Sequence, residues 1–273
     1  FGGCHSMNKQ HGATLVMVLI LLLLISVIGV YAIQQSIFSL KLATNAQVQT
    51  LLMQTSDVAL DHFEKNFKSN EANNLASTPV GQVLLAGNQG RELQFCFKPT
   101  QVGNNAGKGS FFDLSEFRIV ERLNISQAEG VSSALSGDIT AVCDPETMFS
   151  ISRKAVVTQV AVVSPDDPTV EMGRFDLATK NSDLKEVNVE TKRVRVIVTS
   201  FAPALASGVS IADINTCLQH RMMDDTLLKN RADPAINPSQ VKVETVHECL
   251  NQLGVPLNTQ LAEYVVRLSE TKR

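Results

Sequence analysis

The chain has 273 residues and nearly balanced charge: 24 basic against 27 acidic side chains, a net charge of −3. That balance excludes a strongly basic field of the kind that holds nucleic acid. Hydrophobic residues at 44% and charged residues at 19% exclude wholesale disorder and allow a sizeable core, in one or two domains.

Phe1–Ser6 precede the first methionine, Met7, and read as an upstream extension of a short leader, residues 1–12. Cys4 has no apolar segment before it, so a lipoprotein site is set aside. From Ala13 to Ile33 there are 21 consecutive residues without a charge. As a helix rising 1.5 Å per residue, this run spans roughly 30 Å, the thickness of a bilayer's hydrocarbon core. A secretory signal has a shorter apolar region, about 7–15 residues, that ends at a small-residue site. Here the run passes into Gln34, Gln35 and Ser36 and a further helical pattern. Residues 13–33 are therefore expected to cross a membrane. Lys9 before the span favours a cytoplasmic N-terminus and an exported remainder.

A basic residue, then Gly, then about twenty apolar residues leading into a long helix resembles a type IV prepilin. The pattern here is Lys9-Gln10-His11-Gly12 against Ala13. The resemblance implies that a prepilin peptidase cuts between Gly12 and Ala13 and methylates the new amine of Ala13. Ser36-Ile37-Phe38-Ser39-Leu40-Lys41-Leu42-Ala43-Thr44-Asn45, followed by Met53-Gln54-Thr55-Ser56-Asp57-Val58-Ala59-Leu60, is similar to the N-terminal region of PilX-type minor pilins. The similarity covers residues 8 to 67. Most pilins carry a glutamate at the fifth mature position, where it pairs with the methylated amine of a neighbouring subunit. Met17 stands there, and no acidic residue occurs between Ala13 and Ser56. The departure bears most on methylation of Ala13, because the methylated amine is what that glutamate meets. PilX-type minor pilins and K-type pseudopilins of type II secretion often share that absence.

Ile33, Ile37, Leu40, Val48, Leu51, Val58 and Phe63 recur at helical spacing, widened by Leu52, Ala59 and Phe67. Residues 34–68 are thus expected to continue the helix amphipathically, for a total length of roughly 80 Å. Ser69–Ser77 reads as the helix exit, with Pro79 and Gly81 as the break. Residues 79–210 read as a β-rich head. Its candidate strands are Leu93–Lys98, Phe117–Leu123, Asp138–Val142, Ala155–Val163, Glu171–Leu177 and Glu186–Val198. Alternation changes parity at Lys192–Arg193, which suggests a bulge or turn. Residues 211–273 read as a helical and loop segment: short helices at Ile211–Met223 and Val246–Leu253, a loop with Pro234 and Pro238, and a final helix or mixed element at Leu257–Arg273. The expected fold class is α+β, with the long helix packed on an antiparallel sheet.

Four cysteines lie beyond the leader: Cys96, Cys143, Cys217 and Cys249. An exported domain with an even number of them favours disulfides, and four cysteines allow three connectivities. Cys217–Cys249 is preferred because both lie in the C-terminal segment, where the loop needs tethering; Cys96–Cys143 then follows by elimination. A competing pattern, Cys217-x-x-His220 with His247-x-Cys249, could supply four zinc ligands, but His-x-Cys is an unusual spacing.

The Gly103–Ser110 run has three residues between its glycines and Gly109 where a phosphate loop needs Ser or Thr, so it reads as a hairpin loop. His247-Glu248 lacks the second histidine of a zinc protease, Asp166-Asp167-Pro168 reads as a polar turn, and His62 has no nucleophile beside it. No catalytic set and no cofactor or metal are expected. The reading is a non-enzymatic minor pilin held in the inner membrane with a periplasmic head, then at the pilus tip. Its implied partners are the prepilin peptidase, other minor pilins, the major pilin and a tip adhesin, with no direct nucleic-acid contact. The alternatives are a K-type pseudopilin-like tip subunit or a single-pass inner-membrane protein with a periplasmic binding domain.

Overall fold

A computed structural model describes residues 11–70, 75–98, 111–122, 132–136, 141–150, 155–165, 189–224 and 244–269. The chain divides into two compact units, Phe1–Val48 and Gln49–Arg273. One helix, α1 (His11–Asn70), begins in the first unit and ends in the second. In the first unit its large apolar side chains, from Leu15 to Leu42, are all exposed.

The second unit is built on a six-stranded sheet. Its strands are β1 (Glu92–Cys96), β2 (Arg118–Arg122), β3 (Ser132–Ser136), β4 (Val157–Val163), β5 (Val189–Phe201) and β6 (Leu257–Ser269), in the order β3-β2-β1-β4-β5-β6. Every neighbouring pair is antiparallel. The central strand β4 is buried at every position, because both faces of the sheet are covered.

One face carries Leu93, Phe95, Val160, Val162, Val194, Val196 and Val198 and packs on Ala59 and Phe63 of α1 and on Phe111 and Phe112. The other carries Val157, Ala161, Ile197 and Phe201 and packs on α3 (Ile211–His220) and α4 (Val246–Gln252) through Ile214, Leu218, Val246 and Leu250. Three layers result, with two cores on opposite sides of one α+β sheet.

Local chemistry sets the helix starts. The Ser210 side chain accepts from the Asp213 N–H, and Thr245 with Glu248 forms a reciprocal capping box. Pro79 does not merely break the chain. It opens a short helix, α2 (Pro79–Leu84), with Thr78 as its cap, since proline's fixed φ and missing N–H suit a first turn. Gly81 is required there: an added Cβ would lie 1.9 Å from the Leu75 carbonyl oxygen.

Several expectations are corrected. Leu257–Ser269 is a strand, not a helix. Its Leu257, Leu261 and Val265 are four apart, which satisfies a helix period but also an even strand period. Pairing along all of β5 decides between them. There is no bulge or turn at Lys192–Arg193, where Lys192↔Val266 and Arg193↔Val265 continue one register. The parity change reflects valines on opposite faces of one strand. Ala141 and Val142 are not in a strand, and β3 lies earlier, at Ser132–Ser136. Residues 138–140 and the candidate strand Glu171–Leu177 lie outside the described residues.

Candidate functional site

The most unusual surface in the first unit is the start of α1. Gly12 and Ala13 are in helical backbone, while Lys9 lies outside the described residues. Met17 is 71% exposed, and Leu19, Leu21, Leu23 and Ile25 are similarly open. Lys41 is the one formal charge between Ala13 and Ser56. Two hydroxyls turn inward: Ser26 Oγ donates to the Leu22 carbonyl at 2.8 Å and Thr44 Oγ1 to that of Leu40 at 2.9 Å. Along residues 13–33 the backbone polar groups are satisfied within the helix and nearly every side chain is apolar, leaving an almost wholly apolar surface. Such a surface is stable in lipid or against other apolar helices, and costly in water. This is the one helix among the described residues long and apolar enough to cross a membrane.

In the second unit the end of α1 is fixed to the sheet. Leu52, Thr55, Ser56, Ala59 and Phe63 form the buried stripe. Val58, placed on that stripe by periodicity, is 46% exposed, and the unpredicted Ser56 occupies the contact instead. Ser56 Oγ donates to Ser200 Oγ at 2.9 Å, and Ser200 shares a 2.8 Å hydrogen bond with Thr158 Oγ1. Further out, Gln260 donates to Asp57 at 2.8 Å and the Tyr264 hydroxyl to Glu64 at 3.2 Å. Burial, then the Glu64 charge, pushes the Tyr264 phenol up to about 12. His62 lies among rings, 5.5 Å from Phe97 and stacked at 6.4 Å on Phe111, an aromatic packing position without a nucleophile.

Cys96 is bonded to Cys143 and Cys217 to Cys249. The first links β1 to the segment beside β4, and the second links α3 to α4. The thiols of the alternative zinc set are therefore engaged with each other. His247 Nδ1 instead lies 3.0 Å from Thr259 Oγ1. No group of three or more metal-ligating side chains occurs among the described residues. The Gly103–Ser110 loop, Asp166–Pro168 and Pro234 and Pro238 lie outside the described residues.

Sequence reasoning missed a buried polar network. The last turn of α3 and residues 221–224 after it form a strap, 218–224, on the second face of the sheet. Glu92 of β1 is fully buried; its two oxygens accept from the Met223 N–H at 2.8 and 3.0 Å, and one accepts from the Asp224 N–H at 2.9 Å. Gln94 also donates to Glu92, and Arg118 of β2 donates to the Gln94 oxygen and, at 2.9 Å, to the Leu218 carbonyl. Arg195 of β5 bridges Asp224 and Glu263, both at 2.8 Å. Arg221 pairs with Glu244 at 2.8 Å. Burial pushes the Glu92 carboxyl up to about 7 against the opposing pull of its hydrogen bonds. It lowers Arg118 to about 10 despite the Glu92 charge. Burial lowers Arg195 too, but its bonds to Asp224 and Glu263 leave it raised overall. The only signal in sequence is charge interleaved with apolar residues, as in Glu92-Leu93-Gln94-Phe95 and Val194-Arg195-Val196, which also describes a solvated face.

No curated protein and no solved structure matches the chain. A family model does. Its match covers the helix whose apolar surface is left open: residues 11–61 match the family described as PilX N-terminal, consistent with a PilX-type type IV pilin.

Proposed function

We propose that the chain is a minor pilin, a non-enzymatic subunit that primes assembly of a type IV pilus or sits at its tip. The observation that carries this reading is the coincidence of the PilX N-terminal match with the charge-free stretch of α1 at residues 13–33, whose large apolar side chains are exposed. The helix stores the subunit in the inner membrane with its head in the periplasm. It then moves into a filament of like helices, where the same apolar surface is buried and no backbone group loses a partner. The head meets other minor pilins, the major pilin or a tip adhesin, and the oxidised cysteines suit an exported domain.

Maturation in this reading is cleavage by a prepilin peptidase between Gly12 and Ala13, with methylation of the Ala13 amine. Intact-mass measurement on protein from cells with and without the peptidase tests it. The expected result is loss of the leader only when the peptidase is present. The same uncut N-terminus in both backgrounds would overturn the pilin reading.

A further inference from the structure

The sheet ends on two unlike edges. At one, β3 is five residues long and its pairing with β2 slips at Ile119/Val120, the kind of short, irregular edge that resists further pairing. At the other, β6 keeps one unbroken register with β5 from Leu257 to Ser269, without a proline or a bulge. The Ala202 N–H donates to the Pro256 carbonyl at 2.9 Å, and these two residues continue the same register. Closely and widely spaced hydrogen-bond pairs alternate in an antiparallel ladder, so that bond sets the phase. Every second residue from Asn258 to Val266 turns its backbone groups to β5. Thr259, Leu261, Glu263 and Val265, between them, turn theirs outward. Among the described residues nothing pairs with those outward groups.

The two faces beside this edge differ in chemistry. On the second face α4 meets the start of β6 through His247 and Thr259, and further along Leu261 and Val265 stand 58% and 65% exposed. On the first face the end of α1 turns one flank to β1, where His62 meets Phe97, and the other to β6. There Asp57 accepts from Gln260 and Glu64 from the Tyr264 hydroxyl, so two carboxylates line the first face along the open edge. We propose that the outer edge of β6 is a strand-addition site for an extended segment of a partner protein in which basic residues alternate with apolar ones. The segment's backbone completes the outward N–H and C=O groups. Its basic side chains face Asp57 and Glu64, and its apolar side chains cover Leu261 and Val265. A second copy of this chain is the poorer occupant. Antiparallel pairing of β6 with β6 across a two-fold axis puts both acidic flanks on one face of the joined sheet, like charge against like. The surface belongs to the head and does not rest on the fate of the apolar helix.

Amide hydrogen exchange on the full chain in detergent micelles, read residue by residue by NMR, tests the edge. In the free chain the Leu261, Glu263 and Val265 amides should exchange quickly, while those of Gln260, Ala262 and Tyr264 are protected by the β5 ladder. A blocked peptide of alternating lysine and valine should slow the first set roughly tenfold or more and leave the second unchanged. A peptide alternating glutamate with valine should bind roughly tenfold more weakly. Asp57→Asn combined with Glu64→Gln, which keeps acceptor oxygens for Gln260 and Tyr264, should erase that preference. Leu261→Pro removes one outward N–H without touching the β5 ladder and should abolish binding. Should that variant fail to fold, the charge variant and the exchange pattern of the parent chain decide. Outward amides that the lysine–valine peptide does not slow, or equal binding of the two peptides, overturn the proposal. So does slow exchange of the outward amides in the free chain. If it is independent of concentration, the edge is already covered; if it rises with protein concentration, a second copy occupies it.

Discussion

At Ser56 a hydroxyl occupies a position where the helix period calls for a hydrocarbon. The side chain is fully buried, and its contacts to Ser200 and to the Leu52 carbonyl satisfy it. Ser200 and Thr158 complete a hydroxyl ladder across β5 and β4, which fixes where the end of α1 sits on the sheet. Ser56→Val would lose the bond to Ser200 and press extra methyl groups into a packed contact. We expect destabilisation of about 1–3 kcal/mol, with Ser56→Ala costing about 1 kcal/mol. Urea unfolding of the full chain in detergent, followed by near-ultraviolet circular dichroism, checks the order of the two. An unchanged midpoint for Ser56→Val would show that the ladder contributes nothing. Ser56 was illegible in sequence because a serine mid-helix reads as surface, and the residue that receives its proton lies 144 positions away. Glu92 was hidden for the same reason. Period-two alternation states which residues share a face, but not whether that face meets water or a second layer.

The elements were legible to very different degrees. The long helix followed from its charge-free run, and β4 and β5 from their β-branched density, because those signals are local. The strand β6 was not legible, since its even spacing fits both periods and only pairing with β5 selects one. The two cysteine pairs divide the labour between elements: Cys96–Cys143 staples the sheet, and Cys217–Cys249 joins α3 to α4 across 32 positions. On the chain-entropy model that second closure constrains the unfolded state by about 3–4 kcal/mol. Replacing Cys217 and Cys249 together by serine should lower stability by about that amount, read as a shift of the urea midpoint of the full chain in detergent. Non-reducing peptide mapping of the parent chain should return the two pairs and no free thiol at those four positions. Four free thiols or stoichiometric zinc would restore the metal alternative.

At the scale of the whole molecule, the missing carboxylate at Met17 decides more than any residue of the head. In the pilins that this N-terminal region resembles, the glutamate at that position meets the terminal amine of a subunit already in place. A carboxylate in an apolar environment is costly unless it is paired, so its presence marks a required contact and its absence marks a contact not made. On the proposed maturation, this chain would not neutralise the amine of an earlier subunit, whereas its own amine, once freed at Ala13, would still receive a glutamate from the next one to arrive. Such one-sidedness suits the first subunit of a growing filament and suits an interior one poorly. We therefore expect the chain at the tip, at low copy number, with initiation of piliation lost on its deletion. The competing account is that apolar packing of the helix alone suffices and Met17 merely fills space, since a buried ion pair need not be net stabilising against an apolar replacement. Met17→Glu separates the two. If the position sets order of entry, the variant should be recruited along the shaft, whereas labelled parent subunits remain at the tip. Parent subunits found all along the shaft, or piliation that starts normally without the chain, would make the tip assignment wrong.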